Sequence, residues 1–512
     1  MKKVIQHIII HVIILSCIFG CGSEKQQPSK ASPHSFIDVI GRNESDIFPI
    51  AYNGYKSSIK ELPIGVFDSG IGGLTVLAEI VRLDNFNNIT RKSGSDGIPD
   101  FKNEHFTYLG DQANMPYGNY SSEHKTDFLR ELIVKDAAFL LGRRYWVSQT
   151  AESPTFDKLP VKAIVIACNT ATAFGIEHIR KALIQWKIPV YIIGVIDAGA
   201  NGAVEALIES GANGTVAVMA TVGTCTSEGY VRAVEKSAKD TDVSLPVVIQ
   251  QGCLGLAGAI EGDTSYIKSA GNSTVDYQGP SIKNPNAPID SSLIIQYSFE
   301  NTGIVGNSNN VKSIQLNSVD NYIRYHTTTL VENYRKTGNT TPISTIILGC
   351  THFPFHVGNI KAAYERLRNF ADSDSSKPYG NLIAEHIRFI DPARFTAIQL
   401  YEELRDSKLL LDGSEKSAVF TDEFFISVPH SSTDKANLIE SGAFTYDFKY
   451  GRNPGELSIE YVKRVPMSMR NLSPEVIKNI TETMPLIRER LAEFNAESPR
   501  CTGIPDSYRI TF

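Results

Sequence analysis

Short apolar runs that end in small-residue turns, alternating with helix-length patterns, most tightly limit what this chain can fold into. Ile64-Gly65-Val66-Phe67, Ala163-Ile164-Val165-Ile166 and Ile343-Ser344-Thr345-Ile346-Ile347-Leu348 are such runs. A strand buried on both faces reads as a nearly continuous apolar run rather than as an alternation. The spacing predicts strands at 63–67, 105–109, 161–167, 190–196, 214–220, 246–250, 343–348 and 386–390, with a further one at 420–427. Helical patterns over 74–83, 126–141 and 175–186 lie between several of them. Strands that alternate with helices imply parallel, doubly wound α/β sheets. At 512 residues the chain is long enough for two such cores.

Two of these runs end in near-matching frames, Ala167-Cys168-Asn169-Thr170 and Gly349-Cys350-Thr351-His352. α/β sheets place their chemistry at the carboxyl ends of strands. A single such cysteine is more often a packed core residue. Two in mirrored settings suggest one site with a thiol on either side of a substrate. The other cysteines are Cys17, Cys21, Cys225, Cys253 and Cys501. Their wide, irregular spacing makes a poor disulfide framework, and no CxxC or Cys/His cluster gives a zinc spacing. Cys225 and Cys253 are expected to be structural.

The net charge of −6, with no long basic run, argues against a nucleic-acid partner. The first residues are less ordinary. Lys2 and Lys3 precede an apolar stretch from Val4 to Phe19, followed by Gly20-Cys21. A charged start, a short apolar core and a small residue at a cleavage site describe an export signal. The segment resembles a lipoprotein signal peptide over residues 1–21, which makes Cys21 the lipidation site, a membrane anchor, and residues 22–61 a tether. The stretch is short for a spanning helix. Residues 262–317, rich in Gly, Ser, Asn and Pro, are expected to form a surface insertion such as a lid or a hairpin. Residues from about 430 read as a tail whose last element is one helix from Ser473 to about Phe494.

Six segments carry a family resemblance. They are Ile64 through Val76, containing Asp68-Ser69-Gly70-Ile71-Gly72-Gly73; Tyr108-Leu109-Gly110-Asp111 with Pro116-Tyr117-Gly118; and Ala167 through Ala173. Then come Thr221-Val222-Gly223-Thr224 with Ser227 and Tyr230; Cys253 with Glu261; and Leu348 through Pro354. In this order they resemble the cofactor-independent glutamate racemases of the aspartate/glutamate racemase superfamily. The resemblance implies two doubly wound α/β domains with mainly parallel sheets and an active site in the cleft between them. The first domain is expected over 62–194 plus 386–512, and the second over 195–385.

The resemblance also implies roles. Cys168 and Cys350 become opposed acid/base groups, one abstracting the α-proton while the other donates to the opposite face. Asp68 assists the first thiol, His352 the second, and Glu261 is a further acidic helper. Ser69, Asn169, Thr170 and Thr351 match substrate-contact positions, and Tyr117 and Gly118 match a pair that helps close the site through the backbone. Cysteine suits this chemistry because local effects can bring its pKa towards neutrality. No lysine sits in a recognisable pyridoxal-phosphate context, and the glycine run after Asp68 lacks the dinucleotide spacing, so no cofactor is expected. Aspartate or another small acidic amino acid as substrate and a non-catalytic, envelope-anchored amino-acid-binding protein remain alternatives, and a homodimer is left open. A racemase that supplies peptidoglycan synthesis belongs in the cytoplasm. The export signal instead implies a lipoprotein of the bacterial cell envelope, and only without it a cytoplasmic protein.

Overall fold

The computed structural model describes residues 36–41, 47–211, 214–267, 277–307, 310–413 and 421–511. The signal segment and Cys21 lie outside these. Strands β1 (Ile64–Asp68), β2 (Phe106–Gly110), β3 (Ala163–Ile166) and β4 (Tyr191–Gly194) come first. They are followed by β5 (Thr215–Ala220), β6 (Val247–Gly252), the hairpin of β7 (Ile304–Asn307) and β8 (Asn310–Leu316), β9 (Ile343–Gly349) and β10 (Ile383–Ile390). Last come β11 (Glu423–Pro429) and β12 (Val462–Pro466). One sheet runs β12-β11-β2-β1-β3-β4 and a second β10-β9-β5-β6. All pairings in both are parallel except β11 with β12. β1, β2, β3, β5 and β9 are buried along their whole length, as strands covered on both faces must be.

Several expectations need correction. The segment read as a tether is packed at 36–41 and 47–50 of its described residues. Ile37, Ile40, Phe48 and Ile50 join the core beside β3, and the Trp186 indole N–H donates to the Ile37 carbonyl at 3.1 Å. β10 pairs with β9, so the second sheet continues past residue 385, where the first domain was expected to resume. The 262–317 segment does contain a hairpin, β7–β8, but it is not merely superficial. Its Tyr266, Ile289, Tyr297, Ile314 and Leu316 are buried in the core of the second sheet.

The C-terminal part is no loose tail. β12 closes the edge of the first sheet, and the expected single helix is two, Pro474–Thr483 and Pro485–Glu497. Pro485 has no N–H to continue the first helix, and it forces Met484 to φ −131°, ψ 62°. β12 escaped the sequence reading because Val462-Lys463-Arg464-Val465-Pro466 places two charged residues in a strand. Both are buried and bonded, Lys463 to the Gln149 and Ala151 carbonyls and Arg464 to Asp136.

Candidate active site

Each sheet contains one point where the chain reverses its direction of winding. β2 lies on one side of β1 and β3 on the other; β6 lies on one side of β5 and β9 on the other. The crevice outside the carboxyl ends of strands at such a point is where α/β sheets bind ligands. Here Asp68 ends β1 and Ser69 follows it, Cys168 follows β3, and Thr221 and Cys350 follow β5 and β9. The two crevices face each other.

A small cavity, about 20 Å³, lies between them. Cys168 and Cys350 both line it, as do Ser69, Tyr117, Gly118 and Asn169. Thr170, Thr351 and His352 complete the sequence-predicted set at its wall. Asp68 and Glu261 stand one layer behind. The thiols are 6% and 7% exposed, so they meet solvent only through this space. Neither is in a disulfide.

The supports of the two thiols differ. Cys168 caps the helix Asn169–Trp186, its Sγ accepting the Ala171 N–H at 3.4 Å and donating to Ser69 Oγ at 3.6 Å. Burial pushes this thiol well up, and the nearby Asp68 carboxylate adds to the effect. The helix N-terminus acts in the opposite direction by favouring negative charge. Asp68 is itself held above the ordinary carboxylate range by burial, while His352 across the cleft pulls it back down. Its Oδ2 accepts the Gly73 N–H at 2.7 Å, which closes the glycine turn after β1.

Cys350 instead belongs to a relay. Its Sγ lies 3.4 Å from His352 Nδ1, and His352 Nε2 lies 2.5 Å from Glu261 Oε1. Burial alone would lower the His352 pKa, but the Glu261 carboxylate and the Cys350 sulfur beside it leave it raised well above 6.5. A group raised on folding adds stability that is fully present below its unfolded value and lost as pH rises through its folded one. The melting-temperature gap between the protein and Glu261→Gln should therefore narrow as pH rises above 6.5, the unperturbed value of His352. Thermal unfolding at a series of pH values checks this.

Three contacts across the cleft went unread in the sequence. Gln112 Nε2 donates to the second oxygen of Glu261 at 3.1 Å, tying the first sheet to the relay of the second. The Tyr230 hydroxyl donates to Asn169 Oδ1 at 2.5 Å. Thr170, Thr221 and Thr224 form a triangle of hydroxyls with sides of 2.9, 3.2 and 3.0 Å. The threonines and Tyr230 lie in recognised motifs that assign them no partner, and nothing in the sequence marks Gln112. Tyr117 turns its ring away from the cavity, its hydroxyl oxygen lying 2.5 Å from Asp111 Oδ2 and 2.7 Å from Asp136 Oδ2. Cys253, buried off the cavity, bonds the Gln251 carbonyl at 3.5 Å. Among the described residues, no group of three or more His, Cys, Asp or Glu side chains is placed to hold a metal ion.

Fold and site together define a two-domain α/β protein that presents a thiol from each domain to one buried space, with an imidazole–carboxylate relay behind one of them. The chain is 36% identical over 181 residues to a glutamate racemase from Oceanobacillus iheyensis, covering 35% of this chain and 49% of that protein. It is 27% identical over 329 residues to a glutamate racemase from Sulfurihydrogenibium, covering 64% of this chain and 83% of that protein. Its matches to the first of these curated relatives span about half of their length. A crystal structure of a glutamate racemase isoform from Bacillus anthracis aligns at a TM-score of 0.42 and 24% identity, covering 72% of this chain and 89% of that one. No family model matches the chain. These matches make the chain similar to glutamate racemases over 35% to 64% of its length.

Proposed function

We propose that this protein interconverts L- and D-glutamate by proton transfer at the α-carbon, using two thiols and no cofactor. The observation that carries the reading is the placement of Cys168 and Cys350, one from each domain, at a shared cavity. A planar carbanion held between them can lose its proton to one face and regain one from the other. In each turnover one thiolate takes the α-proton and becomes a thiol, while the opposite thiol gives its proton and becomes a thiolate. The pair ends in the mirror protonation state and must be reset. The Cys350–His352–Glu261 relay is suited to that, because a charged histidine can give a proton to a thiolate and, once neutral, take one back from a thiol.

Substrate holding falls to groups already fixed by their neighbours. Asn169 is held through its oxygen by Tyr230, so its NH₂ group is what it offers a carboxylate. The hydroxyls of Ser69, Thr170 and Thr351 and the amides of the Tyr117–Gly118 turn complete the set. A cavity of about 20 Å³ has room for roughly one water. Substrate therefore enters and leaves only when the domains part.

Two glycines mark where they meet. A Cβ on Gly72 would lie 2.6 Å from Thr351 Oγ1 and 3.0 Å from His352 Cε1, and one on Gly118 would lie 2.8 Å from Thr221 Cβ. Gly72→Ala should hinder closure, not folding. It lowers kcat/KM for glutamate roughly tenfold while the melting temperature barely moves, since overpacking is relieved by opening the cleft. Steady-state kinetics and thermal unfolding on the same preparation check both halves.

The test of the reading is direct. The purified protein, given D- or L-glutamate without added cofactor, should equalise the enantiomers. Aspartate, one methylene shorter, should turn over about tenfold more slowly or worse. No change of optical rotation with either amino acid under reducing conditions sinks the proposal.

The envelope location belongs to the same proposal. The charged start, apolar core and Gly20-Cys21 junction support export and lipidation at Cys21. Metabolic labelling with a fatty-acid analogue should mark the protein, and Cys21→Ser should abolish the label and release the protein from membranes. An unlabelled wild-type protein in the cytosolic fraction would place it with a racemase that feeds peptidoglycan precursors.

A further inference from the structure

The short helix Tyr446–Gly451 lies in the C-terminal part of the chain that the sequence reads as a tail, yet it grips the cavity wall. Lys449 Nζ donates to the Met115 carbonyl at 2.6 Å, and the Tyr450 hydroxyl donates to the Pro116 carbonyl at 3.2 Å. Arg452 Nη2 donates to Asn114 Oδ1 at 2.6 Å, so two wall residues and the residue just before them are each held. Arg452 is itself fixed, its guanidinium within 5.6 Å of the ring centres of Phe128, Phe444, Phe448 and Tyr461. Met115 and Pro116 lead into Tyr117 and Gly118, and all four line the cavity that holds both thiols.

The direction of these bonds matters. In a trans peptide the C=O and the following N–H point opposite ways. A Pro116 carbonyl drawn towards Tyr450 therefore turns the Tyr117 N–H away from the extension and towards the cavity. Burial holds the Lys449 pKa below its ordinary value, while the nearby carboxylates of Asp263 and Glu261 in the second domain act the other way.

We infer that Lys449 and Tyr450 are positioning residues of this site, holding the Met115–Gly118 wall so that the Tyr117 N–H meets a substrate carboxylate. The inference rests on the reading of an amino-acid substrate given above. The connection between β11 and β12, in the part of the chain read as a tail, then supplies a piece of the binding site.

The test compares two lysines of the extension in the full chain. Lys463 likewise donates to carbonyls, those of Gln149 and Ala151 at 2.9 and 2.7 Å, but it does not touch the wall. Lys449→Met should raise KM for glutamate about tenfold with kcat little changed, the loss expected for a hydrogen bond from a charged group. Backbone amide exchange in 114–120 should quicken at the same time. Lys463→Met should leave both readouts at the wild-type level, whatever it does to melting. Unchanged KM in Lys449→Met, or equal shifts in the two variants, overturns the inference. An inactive wild-type protein would sink the substrate reading instead, and the exchange comparison would then decide by itself whether Lys449 holds the wall.

Discussion

Cys350→Ala is expected to lower kcat/KM for glutamate by about 10³-fold in both directions, and Cys168→Ala to do the same, as removal of a positioned acid or base commonly does. The two directions must fall together because the equilibrium constant between mirror images is one. Either substitution leaves a proton acceptor or a proton donor on one face only, and racemisation needs both. The double variant should lose little beyond either single one, because groups that act as a unit are not additive. Each thiol is nearly buried among well-packed neighbours, so loss of one sulfur atom should leave the fold standing. Circular dichroism for the fold, with polarimetry of each enantiomer for the rate, checks the expectation. Near-wild-type rates in either variant would remove that thiol from the mechanism.

His352→Asn carries the second large effect, a fall in kcat of about 10²-fold. The imidazole touches Cys350 on one side and Glu261 on the other, at 3.4 and 2.5 Å, so its loss cuts the path by which the second thiol is reset. The asparagine side chain keeps a hydrogen-bonding group in place but titrates nowhere near neutral pH. The pH dependence of kcat should therefore lose the limb that His352 governs, while KM moves little. In the intact protein that limb lies on the alkaline side, since the Glu261 carboxylate holds His352 charged well above 6.5. Rate measurements across neutral to alkaline pH separate this role from a packing role, which would lower rates equally at every pH.

Much of this site was legible in the sequence because its chemistry sits at strand ends. Apolar runs such as Ala163–Ile166 and Ile343–Leu348 announce buried strands, and the residues just beyond such strands lie in the crevice. Cys168 and Cys350 were readable for that reason, whereas Asp68, Ser69 and His352 were read through the family resemblance of their motifs. Glu261 was read through its motif, although only the fold brings it to His352. The helix Thr126–Leu141 was legible to the residue.

The elements that failed to read share a different physics. β12 hid because Lys463 and Arg464 are buried charges, paired by partners hundreds of residues away. The Phe36–Gly41 helix hid because its apolar residues are too few to signal packing until Trp186 and its neighbours receive them. Gln112 and Lys449 gave no sign because their importance lies in long-range hydrogen bonds, to Glu261 and to the Met115 carbonyl, not in residue type or local spacing.

The central claim is that two thiols act on opposite faces of one α-carbon. It is tested most directly by running each enantiomer of glutamate in deuterated water and separating the enantiomers at low conversion. Solvent deuterium is expected at the α-carbon of nearly all of the product and of almost none of the recovered substrate, in both directions. Product that keeps its original α-proton, or recovered substrate that gains deuterium as fast as product forms, would point to a single base serving both faces and would contradict it.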